Sequence, residues 1–192
     1  MKLAEKSGKA VILFPLSYHI NRGLPEWSDV RKMAGKLETR KSTFKNITDA
    51  TVINYALSER LTQHPGRFFV SGMQSTNDLL DLVSAIKSGN HPYFQKNARI
   101  DFFAYSISCM LLQSLMISEN AGVLKNSRIV LFAGGSLFLH IQGISRFIMD
   151  SVAFDSIKRY YTDIINSRKR FHDELKSWIV GSDYGIWFFI EK

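Results

Sequence analysis

The sequence predicts an α/β fold, a three-layer sandwich with a mostly parallel sheet whose partial core is followed by a C-terminal helical segment. Two observations carry this. Short apolar runs of strand length alternate with helix-period segments, the order that yields parallel strands joined by right-handed crossovers. At Ser106 a strand-like run, Arg99 to Tyr105, passes directly into a helix-like run, Ile107 to Ile117. At 192 residues the chain suits one domain with a substantial core and would crowd two. The expected layout is a single domain over 1–192, with a sheet core at 10–136, a cap-like helical segment at 137–180 and a candidate last strand at 185–190.

Taken in order, Ala10–Leu16 is a short apolar run ended by Pro15, the form of a buried parallel strand. Asp29–Leu37 predicts a short helix capped by Ser28. Residues 39–50 are polar and basic and read as an exposed loop. Asp49–Leu61 is a further helical piece closed by His64-Pro65-Gly66, after which Arg67–Ser71 reads as a second strand and Gly72 as a turn. A helix capped by Thr76 or Asn77 follows, with Leu79, Leu82, Val83 and Ile86 on one face and Gly89 as its stop. His91-Pro92 opens the loop to the third strand, Arg99–Tyr105. Beyond the Ser106 junction, Met110, Leu111, Ser114 and Leu115 mark the inward face of the next helix. Asn120–Ser127 reads as a turn and Arg128–Ala133 as a fourth strand ending at Gly134-Gly135. The C-terminal ends of these strands share one sheet edge, where ligands bind in such folds.

Composition narrows the function classes. Hydrophobic residues at 45% against 22% charged give a globular balance rather than a disordered one. Cys109 is the lone cysteine, so neither a disulfide framework nor a thiolate metal cluster is expected, and a cytoplasmic location is the simplest reading. The net charge is +8, and residues 1–46 hold ten Lys or Arg against four Asp or Glu. Such a balance favours nucleic acid or anionic lipid in general. Here Lys32, Lys36, Arg40, Lys41 and Lys45 alternate with Met33, Leu37 and Phe44 and come without an aromatic reading platform, so they read as the solvated face of a helix and no specific nucleic acid is expected. Pro15, His19 and Arg22 follow Ala10–Phe14 too closely for a secretory leader, and the uncharged run from Phe102 to Ser118 is too short to span a bilayer.

The chemistry centres on Ser106. A serine between strand and helix sits on a sharp turn, so strand and helix pass closely and only small residues fit two positions to either side. Ala104 and Ser108 occupy those positions, giving Ala-x-Ser-x-Ser, a relaxed form of Gly-x-Ser-x-Gly. Together with Phe14-Pro15-Leu16-Ser17-Tyr18-His19-Ile20-Asn21-Arg22, Trp27-Ser28-Asp29-Val30-Arg31 and Asp101–Ser106, this resembles an uncharacterised bacterial family of α/β-hydrolase-like proteins, over residues 10–155. The resemblance implies the α/β-hydrolase fold and lends no activity. It puts Ser106 in the nucleophile's place, the amide of Ile107 as one oxyanion donor, and a second donor in the loop from Tyr18 to Ile20.

The rest of a triad is not identifiable. Chain order in that fold is serine, acid, histidine, and the loops that should carry the last two are not found between Gly185–Ile190 and the chain's end. Asp150 or Asp155 with His172 satisfies the order, but His172 lies in a highly charged helical stretch. His19 is either an oxyanion-loop histidine that meets a ligand or a hydrogen-bonder that pins its loop. His140, six residues after Gly134, either faces the same edge or packs a helix. His64 and His91 precede prolines in turns. No histidine pair has metal-ligand spacing, so no metal and no cofactor are expected. Cys109 reads as a buried core thiol and Gly134-Gly135-Ser136 as a tight turn. The sequence thus describes a hydrolase-like protein of unknown function, esterase-type if active, in degenerate or truncated form, acting on a small ester-like ligand. The alternative is a non-catalytic ligand-binding or protein-interaction module on the same fold. No membrane span is expected, and an apolar edge left open by missing strands would favour a homodimer.

Overall fold

The computed structural model describes residues 2–19, 22–134 and 142–166. Within them lie six α-helices and a two-stranded parallel sheet: α1 (Lys2–Ser7), α2 (Val30–Thr43), α3 (Tyr55–Gln63), α4 (Arg67–Ser88), β1 (Phe102–Tyr105), α5 (Ile107–Met116), β2 (Ile129–Phe132) and α6 (Ser151–Asn166). Short 3-10 turns at Pro25–Ser28 and Glu119–Leu124 complete the set. The fold is mixed α/β and mostly helical.

Local chemistry fixes the helix ends. Asp29, not Ser28, caps α2, its carboxylate accepting from the amides of Arg31 and Lys32 at 3.0 and 3.1 Å. That helix runs on to Thr43, into the first residues of the stretch expected as a loop. Met33, Leu37 and Arg40, three and four residues apart, form its buried stripe. Gly89 ends α4 in the left-handed region at φ 83°, as expected of a glycine stop.

Arg67–Ser71 is the first turn of α4 and not a strand. The Phe-Phe-Val run has strand-like composition, but Phe69 continues the helical stripe of Thr76, Leu79, Val83 and Ile86, and that burial decides the period. Ala10–Leu16 carries no strand either. Its Phe14 and Leu16 pack on the core while Ile12 and Leu13 stay exposed.

Helix α4 joins two apolar clusters. Its first half gives Phe69 to a helical core with Leu61, Met149, Ala153, Phe154, Ile157 and Tyr161. Its second half gives Leu79 and Val83 to a core under the sheet with Ala104, Cys109, Leu111, Leu112, Leu115 and Leu124. Of the face expected on α4, Leu82 is only half-buried. On α5 the buried positions are Cys109, Leu111, Leu112 and Leu115, with Met110 turned toward the helical core.

Arg40 contradicts the expected solvated basic face. Its guanidinium is 1% exposed and grips Asp150 twice, Nε to Oδ2 at 2.7 Å and Nη2 to Oδ1 at 2.9 Å, with Glu59 and Thr62 at 2.7 and 2.8 Å. Desolvation alone would lower its pKa; the hydrogen bonds and charges of Asp150 and Glu59 outweigh that and hold it above the ordinary arginine value. Asp150 also caps α6 through the amide of Ala153 at 3.0 Å, so one buried pair locks α2, α3 and α6 together.

Strands β1 and β2 pair in register, Phe102 with Ile129 through Tyr105 with Phe132. One face packs on the core through Phe102, Ala104 and Ile129. The other shows Phe103, Tyr105, Val130 and Phe132 at 63, 60, 51 and 57% exposure, the two phenylalanine rings and the tyrosine ring stacked. Among the described residues the sheet is therefore covered on one side, and a full three-layer sandwich is not formed. Asp101 binds the opposite end of the strands, accepting from Lys9 at 2.8 Å, from Arg99 at 3.2 Å, and from the Arg128 amide and guanidinium at 3.0 and 2.9 Å. Arg128 first and then Lys9 hold its carboxyl well below the usual carboxylate range.

Candidate functional site at the Ser106 elbow

The end of β1 turns into α5 at a single residue. Ser106 has φ 55° and ψ −122°, a conformation that suits glycine and strains any residue with a Cβ. Two backbone bonds hold it there: its amide donates to the carbonyl of Phe132 at 3.0 Å, and its carbonyl accepts from the amide of Cys109 at 2.9 Å. Its side chain is exposed, and its hydroxyl forms no hydrogen bond among the described residues. Ile107 opens α5, where the first amides lack intrahelical partners, and among the described residues its N–H has no acceptor beside the hydroxyl-bearing residue.

Close packing under the turn explains the small residue two positions before it. Ala104 is 2% exposed, and Cys109 is fully buried with its thiol 3.5 Å from the carbonyls of Ala104 and Phe132. The chain leaving β2 passes directly over the elbow. Ala133 takes a positive φ of 52°, and a Cβ at Gly134 would lie 2.5 Å from the Ser106 carbonyl oxygen and 2.6 Å from the Cys109 sulfur. Gly134 is thus a close-approach glycine. Sequence reasoning missed that role, although its place two residues after a strand that pairs with the elbow strand is the signal.

The second predicted element is the loop that starts at Ser17. Helix α4 holds it: the Ser17 amide donates to Ser75 Oγ and the Ser71 hydroxyl donates to the Ser17 carbonyl, both at 2.9 Å. Arg22 braces it by donating to the Pro15 carbonyl at 3.2 Å and pairing with Asp78. His19 Nδ1 lies 3.1 Å from the Ser17 carbonyl. A carbonyl only accepts, so the proton sits on Nδ1, and in the neutral ring Nε2 is the nitrogen left to accept. His19 thus pins its own loop and makes no bond to Ser106. Its amide is used by Leu16. Tyr18 sits at φ 64°, and the buried Ser17 hydroxyl has no partner among the described residues.

The remaining candidates divide cleanly. Asp150 is consumed by Arg40 and the α6 cap, and Asp155 is exposed on α6, so neither is set as a triad acid. His91 meets the Tyr93 ring edge-on and the Phe94 ring at a tilt in its loop, and His64 caps the end of α3. Ile20, Gly135, Ser136, His140, His172 and Gly185–Ile190 lie outside the described residues. Among the described residues no group of His, Cys, Asp and Glu could hold a metal, and no helix is long and apolar enough to cross a membrane.

Comparison with curated proteins and with solved structures finds no match. One family does match, over residues 1–185, and it is described as a family of unknown function, DUF6051. That match spans the helical core, the sheet and the elbow, and the chain belongs to the DUF6051 family.

Proposed function

We propose that the chain is a serine-hydrolase-like protein in which Ser106 is the acyl-accepting nucleophile of an α/β-hydrolase-type elbow. The observation that carries this is the backbone of Ser106. A serine at φ 55° and ψ −122° costs on the order of 1–3 kcal/mol, and such strain concentrates where a fold uses it. Here it presents an exposed hydroxyl next to the amide of Ile107, both without a hydrogen-bond partner among the described residues. In an acyl transfer that amide would stabilise the oxyanion of the tetrahedral intermediate, a contribution of about 3 kcal/mol per donor in working hydrolases. Tyr18 and Ile20 remain the proposed source of a second donor. The ligand class is a small ester or a related acyl compound.

A second reading, a non-catalytic binding or interaction module on the same architecture, draws support from a different observation. No imidazole among the described residues hydrogen-bonds Ser106, so no general base is in place there. Fluorophosphonate labelling separates the two. The hydrolase reading expects stoichiometric labelling abolished by Ser106→Ala, with His19→Ala, His140→Ala and His172→Ala identifying the proton acceptor by loss of rate. Labelling that is absent, or that survives Ser106→Ala, would leave the binding module as the better account.

A further inference from the structure

Three arginines among the described residues are not fully exposed: Arg22, Arg40 and Arg60. The first two have carboxylate partners, Asp78 for Arg22 and Asp150 with Glu59 for Arg40. Arg60, in the last turn of α3, has none among the described residues. Two aromatic faces hold it instead, its guanidinium carbon lying 4.1 Å from the centre of the Trp27 ring and 4.9 Å from that of Tyr18. The neighbouring carboxylate, Glu59, is occupied on one oxygen by Arg40 and on the other by Gln63, both at 2.7 Å. The charge that acts on Arg60 to lower its pKa is a second cation, Arg67 at the start of α4, and that side chain is exposed with no partner of its own among the described residues.

The two rings hold the guanidinium in place, and no hydrogen bond among the described residues takes up its N–H donors. No buried nitrogen of Arg60 is left without a partner, so those donors reach solvent. Burial first, and then the charge of Arg67, lower its pKa from the ordinary arginine value, the sign of a cation that lacks its counter-charge. A planar fork immobilised on two rings, with a second guanidinium nearby, has lost in advance the rotamer freedom that ligand binding would otherwise cost. From this juxtaposition we infer that Arg60 and Arg67 form an oxyanion-binding subsite, where the fork of Arg60 takes two oxygens of a carboxylate or phosphoryl group and Arg67 adds the second charge. The ring of Tyr18, one residue after Ser17, makes this subsite continuous with the anchored loop at its border.

Thermal unfolding with inorganic phosphate and, separately, benzoate, each at constant ionic strength, tests the assignment on the full chain. Saturable stabilisation by at least one of them is expected. Phosphate alone would identify a phosphoryl ligand, and benzoate alone or both together a carboxylate-accepting site. Arg60→Gln should weaken the apparent affinity about tenfold, as loss of a charged hydrogen-bonding partner does. Arg67→Gln, which breaks no contact of the fold, should weaken it several-fold, and Lys125→Gln, an exposed cation on another element, should leave it unchanged. A merely structural Arg60 would lower the melting temperature of Arg60→Gln while Arg67→Gln bound both anions like the wild type. That result, or no saturable response to either anion in the millimolar range, would overturn the subsite. None of these readouts depends on the reactivity of Ser106.

Discussion

Replacing Ser106 with glycine should make the protein more stable while removing the residue on which its proposed chemistry rests. The serine hydroxyl forms no hydrogen bond among the described residues, so its loss leaves no partner unsatisfied. What changes is the backbone. At φ 55° and ψ −122° a residue with a Cβ is strained by about 1–3 kcal/mol, and glycine relieves that. Against the gain stands the larger entropy of glycine in the unfolded chain, about 0.4–1 kcal/mol. The net expectation is a stabilisation of roughly 1 kcal/mol, or about 2–4 °C in Tm for a chain of this size. Ser106→Ala is the control, because alanine keeps the Cβ and the strain; it should fall within about 0.5 kcal/mol of the wild type. Urea unfolding of the three proteins measures this directly, since a shift in midpoint at constant slope reports stability alone. If glycine proves no more stable than alanine, the strained elbow is not there and the reasoning from strain to function fails with it.

Gly134→Ala should destabilise by about 1–3 kcal/mol, because the new Cβ meets the Ser106 carbonyl and Cys109 with no flexible side chain to give way; a neutral result in urea unfolding would contradict the close approach. Asp150→Ala should cost about 3–5 kcal/mol by stranding buried Arg40, and clearly less in an Arg40→Met background; equal costs in both would mean the pair is not coupled. Asp101 titrates below the usual carboxylate range when folded, so the stability it adds is present above its unfolded value near about 4 and is lost as pH falls through the lower folded value. The stability gap between wild type and Asp101→Asn should therefore hold from neutral pH to about pH 5 and shrink below about pH 4. A gap that stays constant on acidification would contradict this.

The sequence was most legible where local and long-range demands agree. From Arg99 to Met116 the period switches from strand to helix at one serine, and the structure turns there. Gly89 stops a helix because only its conformation allows the chain to leave, a purely local matter. Arg67–Ser71 was misread because aromatic and β-branched residues between two glycines look like a strand in a short window. The deciding signal, Phe69 in step with Thr76, Leu79, Val83 and Ile86, appears only across five helical turns. Arg40 was illegible for another reason. Its partner Asp150 lies 110 residues away, and a basic residue among lysines carries no mark of its own burial. At the site, Ser106 and the small residues beside it were readable from spacing. The pinning of His19 on the Ser17 carbonyl and the passage of Gly134 over the elbow were not, since both arise from contacts between segments distant in sequence or from a turn whose geometry no motif encodes.

The crystal structure of the protein after reaction with a fluorophosphonate would test the nucleophile assignment most directly. The account predicts a phosphorus atom bonded to Ser106 Oγ, with its phosphoryl oxygen about 3 Å from the amide nitrogen of Ile107. A protein left unmodified, or one carrying the adduct on any other side chain, would contradict it.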